Sequence, residues 1–236
     1  MEAERLWPSG PVFLQAPHIR LTADTVLLAD FARVRAGERG ADLGCASGAL
    51  MLLLLWREPA LWMTGLELSA EACALAEENL QRNGLSGRAE VRCGDLRETV
   101  KRLPNGSFNF VIANPPYYPV GQGRISPDRE RAAARGETDC SLEELCAAAS
   151  RLCCSGGRVF LCYRPERLTE LLREMSRAHL EPKRMRLVHH SADSDASLVL
   201  VEGRKDGHPG LNVEPPLLIR DADGRESAEY RRICHC

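Results

Sequence analysis

The sequence predicts an α/β fold on a mostly parallel sheet with crossover helices. Short apolar runs with β-branched members alternate along the chain with helical patterns, which is how such a sheet is written. Helix start and stop signals fall between those runs. A chain of 236 residues, 44% of them hydrophobic, can bury the substantial core that such a fold needs.

Strands are expected at 40–45, 61–67, 89–94, 108–113, 157–163, 184–190 and 197–203. Residues 1–35 read as a lead-in of strand and helix, with Asp24 placed to cap a helix running to about Ala32. The stretch ADLGCASGAL (41–50) is a strand ending in a glycine turn, with a helix starting near Ser47. Ser69 opens a helix rich in Ala, Leu and Glu that stops at Asn83-Gly84. Ser141 with Glu144 is a capping box, opening a helix toward Cys153. Pro165 suits the first turn of a helix to about His179. Residues 206–236 read as a tail, and with no repeat or low-complexity linker one domain over 1–236 is expected. The long irregular segment from Tyr118 to Cys140 is rich in Gly and Arg, and loops of that length are usually functional or disordered.

Composition narrows the classes. A formal net charge of −2 gives no global basic field. Only Lys101, Lys183 and Lys205 among the basic residues are lysines, but arginine preference runs through the whole chain and marks no one site. The opening residues MEAERLWPSG lack the basic-then-apolar order of a secretory signal. The apolar run from Ala49 to Trp56 is too short to span a bilayer, so no membrane partner is expected. The 10 cysteines are scattered, with Cys45, Cys93 and Cys162 among apolar neighbours, and read as reduced small hydrophobes of a cytoplasmic protein. Cys153-Cys154 and Cys234-His235-Cys236 lack the paired spacing of common zinc sites, so no metal is expected.

The glycine turn is the first functional signal. Gly44 and Gly48 let backbone approach a ligand closely, and the following helix start offers unpaired N–H groups. The spacing is neither G-x-G-x-x-G nor a phosphate loop with Lys-Ser/Thr, so alone it is a weak signal. Two acidic positions sharpen it. Glu67 ends the next strand, where a carboxylate can accept both hydroxyls of a ribose. Asp95 ends the third strand, in position to accept from an adenine amino group; for each, an ordinary helix cap is the plain alternative. Three consecutive strand ends then surround an adenosine that carries no phosphate tail, which describes a site for S-adenosylmethionine.

The fourth strand ends in VIANPPYYPV (111–120). Prolines lack the N–H of a central strand and push the residue before them away from helix, so Asn114 stands extended at a strand tip. Asn114-Pro115-Pro116-Tyr117 resembles the N/D-P-P-Y/F/W motif of class I methyltransferases that modify an exocyclic or amide nitrogen. The Asn114 oxygen and the Pro115 carbonyl would accept the two hydrogens of such a nitrogen. Pro116 would stiffen that carbonyl, and Tyr117 would stack a planar base.

The resemblance runs through nearly the whole chain. FLQAPHIRLTADTVLLADFA (13–32), ARGE (134–137), YRPERL (163–168), EPKRMRLVHH (181–190) and DGRESAEYRRI (223–233) are similar to the bacterial tRNA(Val) adenine-N6 methyltransferases. The family's D-x-G-x-G-x-G becomes Asp42-Leu43-Gly44-Cys45-Ala46-Ser47-Gly48, with Ala46 for the middle glycine; Gly136 stands where relatives often carry histidine. The resemblance implies a Rossmann-like, three-layer sandwich with a mostly parallel seven-stranded sheet and an antiparallel final strand, residues 197–203. It implies cofactor contacts from Asp42, Gly44, Ala46, Gly48, Glu67, Leu68, Asp95, Leu96 and Asn114. It further implies S-adenosylmethionine as cofactor, a tRNA substrate, and transfer to the adenine N6 following the anticodon; the oligomeric state stays open, with a monomer favoured. Arg124, Arg129, Arg131 and Arg135 could hold the RNA backbone, with ordinary solvated surface the plain alternative; Lys183, Arg184 and Arg186 read rather as solvated surface. Three other readings stay open: a protein-glutamine methyltransferase, a methyltransferase for another RNA base, and a non-catalytic RNA-binding protein on the same fold.

Overall fold

A computed structural model describes residues 3–115 and 140–235 of the chain. The strands are β1 (Ala3–Arg5), β2 (Val12–Leu14), β3 (Arg39–Leu43), β4 (Trp62–Glu67), β5 (Ala89–Cys93), β6 (Phe108–Ala113), β7 (Cys153–Tyr163), β8 (Leu180–His189), β9 (Ala196–Lys205), β10 (Asn212–Val213) and β11 (Leu217–Leu218). The helices are α1 (Ala23–Phe31), α2 (Ala49–Arg57), α3 (Ala70–Arg82), α4 (Leu96–Thr99), α5 (Leu142–Leu152), α6 (Leu168–Arg177) and α7 (Ala228–Cys234).

The main sheet has nine strands in the order β10-β8-β9-β7-β6-β3-β4-β5, with β11 also paired to β8. All seven expected strands are present. The two additional ones are two-residue strands from the tail, paired parallel to β8 at the sheet edge. Strand β9 runs antiparallel to both its neighbours, β7 and β8. The connection from His189 to Ala196 is too short for a crossover, so the chain can only turn back on itself there. Strands β3 to β7 pair in parallel, each reached through a helical crossover.

Burial on both faces explains why β6 reads as an unbroken apolar run. Phe110 and Ile112 pack toward α1 and α2, in one cluster with Leu28, Met51 and Leu54. Val111 and Ala113 point the other way, toward Leu145, Leu152, Leu171 and Met175 of α5 and α6. The layers are therefore helix, sheet and helix.

Most caps stand where the sequence places them. The Ser69 side chain accepts from the Ala72 amide, and α3 ends at Asn83 with Gly84 at φ +67. Ser141 and Glu144 form the full capping box. Pro165 opens a 3-10 turn, Pro165–Arg167, that leads into α6. One cap differs: Thr22, not Asp24, caps α1, because its extended backbone lets its hydroxyl accept from the Thr25 amide. Asp24 sits in the first turn, where a carboxylate still complements the helix dipole.

The tail is tied down rather than loose. Arg184, 7% exposed, pairs with Glu202 at 2.8 Å, reaches Glu214 and donates to the Phe31 carbonyl at 2.6 Å. Arg186 holds Glu229 of α7 through two 2.8 Å hydrogen bonds. Both arginines thus anchor the residues after β9, and Arg184 is buried rather than solvated. Lys183 donates to the His208 carbonyl at 3.0 Å.

Candidate active site

The carboxyl ends of β3, β4, β5 and β6 open onto one cavity of about 700 Å³. Leu43, Gly44, Ala46, Leu66, Glu67, Leu68, Asp95, Leu96, Asn114 and Pro115 line it. This is the crevice beyond the strand ends where open parallel sheets take ligands. A second cavity, of about 360 Å³, lies between Trp7, Trp56, Ile233 and His235 and holds none of the motif residues.

The glycine turn needs left-handed backbone at three places: Gly44 (φ +78), Ala46 (φ +46) and Gly48 (φ +77). A side chain at Gly44 would point into open space, so the requirement there is conformational. At Gly48 a Cβ would stand 3.1 Å from the Ala76 Cβ, so this glycine also sets how closely the turn approaches α3. Ala46 holds the same region at a cost of roughly 1–2 kcal/mol for an L-residue.

Glu67 fixes that turn. Its Oε2 accepts from the Ala46 amide and its Oε1 from the Ser69 amide, both at 2.9 Å. Each oxygen keeps a further lone pair, enough for one hydroxyl apiece. Asp95 caps α4 and is gripped by its neighbour: Arg97 donates from its backbone N–H at 2.8 Å and from Nε at 2.9 Å. The Arg97 guanidinium holds this carboxyl below its ordinary range. Cap and cavity wall, the two readings of Asp95, coexist in one residue.

Asp42 is fully buried behind the turn, and neither carboxylate oxygen has a hydrogen-bond partner among the described residues. Burial first, and the neighbouring Glu67 charge second, push its acid up to about 8. Asp42 and Gly48 support the turn from behind; the residues given above as the cavity lining do not include them.

Asn114 ends β6 at the cavity. Its Nδ2 donates to the Thr25 hydroxyl at 3.0 Å, and its Oδ1 accepts from the Cys162 thiol at 3.0 Å. Pro116, Tyr117, Arg124, Arg129, Arg131 and Arg135 lie outside the described residues.

Several residues of the site carry no motif. His18, Ile19, Arg20 and Thr22 form one wall, from a segment whose likeness to a family was legible but whose role was not. Asn79, fully buried on α3, donates to the carbonyls of Leu14 and Ser47 at 3.0 Å each and accepts from the Leu14 amide at 2.7 Å. Asn83 grips Val12 in the same two-way manner, at 2.8 and 2.7 Å. These two amides act as a borrowed strand edge for β2, and Asn79 also ties it to the glycine turn.

The residues present fit S-adenosylmethionine. The cavity has the volume of a small-molecule site and apolar walls from Leu43, Leu66 and Leu68. It offers a preorganised carboxylate at Glu67, and Asp42, an acid with no hydrogen-bond partner among the described residues, lies behind the turn.

Known proteins agree with this geometry. Residues 18–126 match the family model described as the methyltransferase small domain. A Porphyromonas gingivalis protein named tRNA1(Val) (adenine(37)-N6)-methyltransferase is 28% identical over 91% of this chain and 87% of its own length. An Escherichia coli protein of the same name is 32% identical over 48% of this chain and 46% of its own. The crystal structure of a predicted O-methyltransferase from Agrobacterium tumefaciens has a TM-score of 0.73 at 24% identity, covering 90% of this chain and 95% of that one. A geranyl diphosphate C-methyltransferase from Streptomyces coelicolor, solved with S-adenosyl-L-homocysteine, has a TM-score of 0.58 at 16% identity, covering 78% of this chain and 77% of that one. The strand-end cavity, its glycine turn and these likenesses mark the chain as an S-adenosylmethionine-dependent methyltransferase of class I fold, similar over residues 18–126 to the methyltransferase small domain.

Proposed function

We propose that the protein methylates the exocyclic N6 of an adenine in tRNA, the adenine that follows the anticodon. The observation that carries this reading is Asn114, an amide at the tip of β6, on the wall of the cavity shared with Gly44 and Glu67. The names of the relatives supply the substrate, and the acceptor chemistry of Asn114-Pro115 suits it.

An exocyclic amino nitrogen is a poor nucleophile because its lone pair is conjugated with the ring. Acceptors aimed at its two hydrogens favour the positive charge that develops there during transfer. The Asn114 oxygen and the Pro115 carbonyl serve that purpose. Bound S-adenosylmethionine supplies a methyl group that is already electrophilic, so no general base is required and the proton leaves to solvent afterwards. Glu67 would hold the ribose hydroxyls, Asp95 would accept from the adenine amino group, and Leu68 and Leu96 would give that part of the cavity its apolar wall.

An anticodon-loop base must be splayed from its stack to reach this cavity. Tyr117 would stack on it, while Arg124, Arg129, Arg131 and Arg135 would contact the RNA backbone. The protein is read as cytoplasmic, its oligomeric state open with a monomer favoured. Among the described residues no helix is long and apolar enough to cross a membrane.

The test is single-turnover transfer of labelled methyl to tRNA. The wild type should place label on adenine N6 in the anticodon loop, and Asn114→Ala should lower the rate on the order of a hundredfold or more. Label on a glutamine side chain, or on another RNA base, would move the function to that substrate. An Asn114→Ala enzyme that works at wild-type rate would remove the amino-group clamp.

A further inference from the structure

Two residues distant in sequence hold the Asn114 amide from either end. Thr25 lies in α1 and receives its Nδ2–H at 3.0 Å. Cys162 lies in β7, the strand beside β6, and gives its S–H to Oδ1 at 3.0 Å. Thr25 is 8% exposed and Cys162 fully buried. We propose that Thr25 and Cys162 are positioning residues that fix which end of the Asn114 amide acts as the acceptor, and so set the rate of methyl transfer. The inference rests on the functional reading above.

An amide has two ends of nearly the same shape, and the torsion that exchanges them is soft. Rotated by half a turn, Asn114 would present hydrogens to an amino group that also presents hydrogens. Sterics alone would not prevent this, so the surrounding hydrogen bonds must choose. The Thr25 Oγ1 lies 3.1 Å from the Thr22 Oγ1, and whichever of the two hydroxyls donates there, Thr25 keeps a lone pair for Nδ2. On the other side the Cys162 thiol donates to Oδ1, an oxygen that as an amide carbonyl can accept two hydrogen bonds. The same pair draws α1 and β7 together on the end of β6, so the amide is held by both neighbouring layers. A cysteine serving only as a small core hydrophobe would need no such contact.

The experiment compares Thr25→Val with Thr25→Ser, and Cys162→Ala with Cys162→Ser. Thr25→Val and Cys162→Ala should each slow single-turnover transfer at saturating RNA by roughly 10- to 100-fold, the scale for supports of a reacting group. Cofactor and RNA dissociation constants should move less than about twofold, because neither residue touches those ligands. The serine variants keep a hydroxyl in place and should restore most of the rate. In an Asn114→Ala background Thr25→Val should cost nothing further, since the group it positions is gone. Wild-type rates in Thr25→Val and Cys162→Ala, or equal losses in the Asn114→Ala background, would overturn the proposal.

A second measurement does not depend on the reaction. Solvent exchange of the Asn114 side-chain amide protons, followed by NMR in asparagine-labelled protein, should be slow in the wild type and at least about tenfold faster in Thr25→Val. Unchanged exchange overturns the positioning role. If the wild type transfers no methyl to RNA but the exchange changes as stated, the functional reading falls and the positioning role stands.

Discussion

The carboxylate of Glu67, at the end of β4, accepts the backbone N–H of Ala46 at 2.9 Å, although Ala46 occupies the left-handed region at φ +46. One hydrogen bond therefore links an acid of the cavity wall to the most strained residue of the glycine turn. The turn is held in a conformation that alanine does not favour, and the acid that holds it faces the cofactor cavity. Changes at either residue should be felt at the other.

Glu67→Ala should weaken S-adenosylmethionine binding by roughly 1–3 kcal/mol, the scale of a charged hydrogen bond. Glu67→Gln keeps one acceptor oxygen and should lose less. Titration calorimetry on wild type and both variants checks this. Equal affinity in all three would remove Glu67 from the site.

Ala46→Gly should stabilise the fold, because glycine takes positive φ without the steric cost. Relief of that strain exceeds the added chain entropy by about 1 kcal/mol or less, a rise in Tm of about 2–4 °C at most. Calorimetric melting measures it. A lower Tm in Ala46→Gly would show that the alanine methyl packs usefully where it stands.

Asn79→Ala should destabilise the protein by roughly 2–4 kcal/mol, since it strands the Leu14 amide and the Leu14 and Ser47 carbonyls at once. Denaturant midpoints give the loss, and cofactor affinity should fall with it because the turn is released. Full stability in Asn79→Ala would mean that β2 and the turn do not depend on this amide.

Asp42 should make stability fall as pH rises from about 4 to about 8. Its folded acid is pushed up to about 8 from an ordinary 3.8, so across that window the native state keeps a proton that the unfolded chain has lost. The stabilising protonated form is fully present below the unfolded value and is lost as pH passes the folded one. Asp42→Asn should flatten this slope in urea midpoints measured at pH 5 and pH 8.5. An identical slope in the variant would show that Asp42 titrates normally.

Much of this was legible in the residues themselves. The β3–β9 strands stand within a few residues of the apolar runs that announce them, because strands buried on both faces need uninterrupted apolar sequence. The caps at Ser69 and Ser141 were readable because capping is a local exchange between a side chain and a backbone N–H a few residues on. The positions of Gly44, Glu67, Asp95 and Asn114 around one cavity follow from strand ends that a parallel sheet must bring to the same side. What the sequence alone determined is thus the set of signals that act over a few residues, together with the side of the sheet on which their strand ends gather.

The tertiary structure decided the rest, and in each case the deciding contact spans a long stretch of chain. Nothing in the pattern around Asn79 announces that its amide will stand in for a strand edge opposite Leu14, since that contact exists only once α3 has packed beside β2. Arg184 reads as a surface cation until β10 and Glu214 close over it against the Phe31 carbonyl. Thr25 and Cys162 belong to different layers, and only the packing of α1 and β7 around β6 brings them to the two ends of one amide. A side chain's hydrogen-bond partners depend on which backbone groups the folded topology leaves unpaired nearby, and that is a property of the assembled layers rather than of any local run of residues.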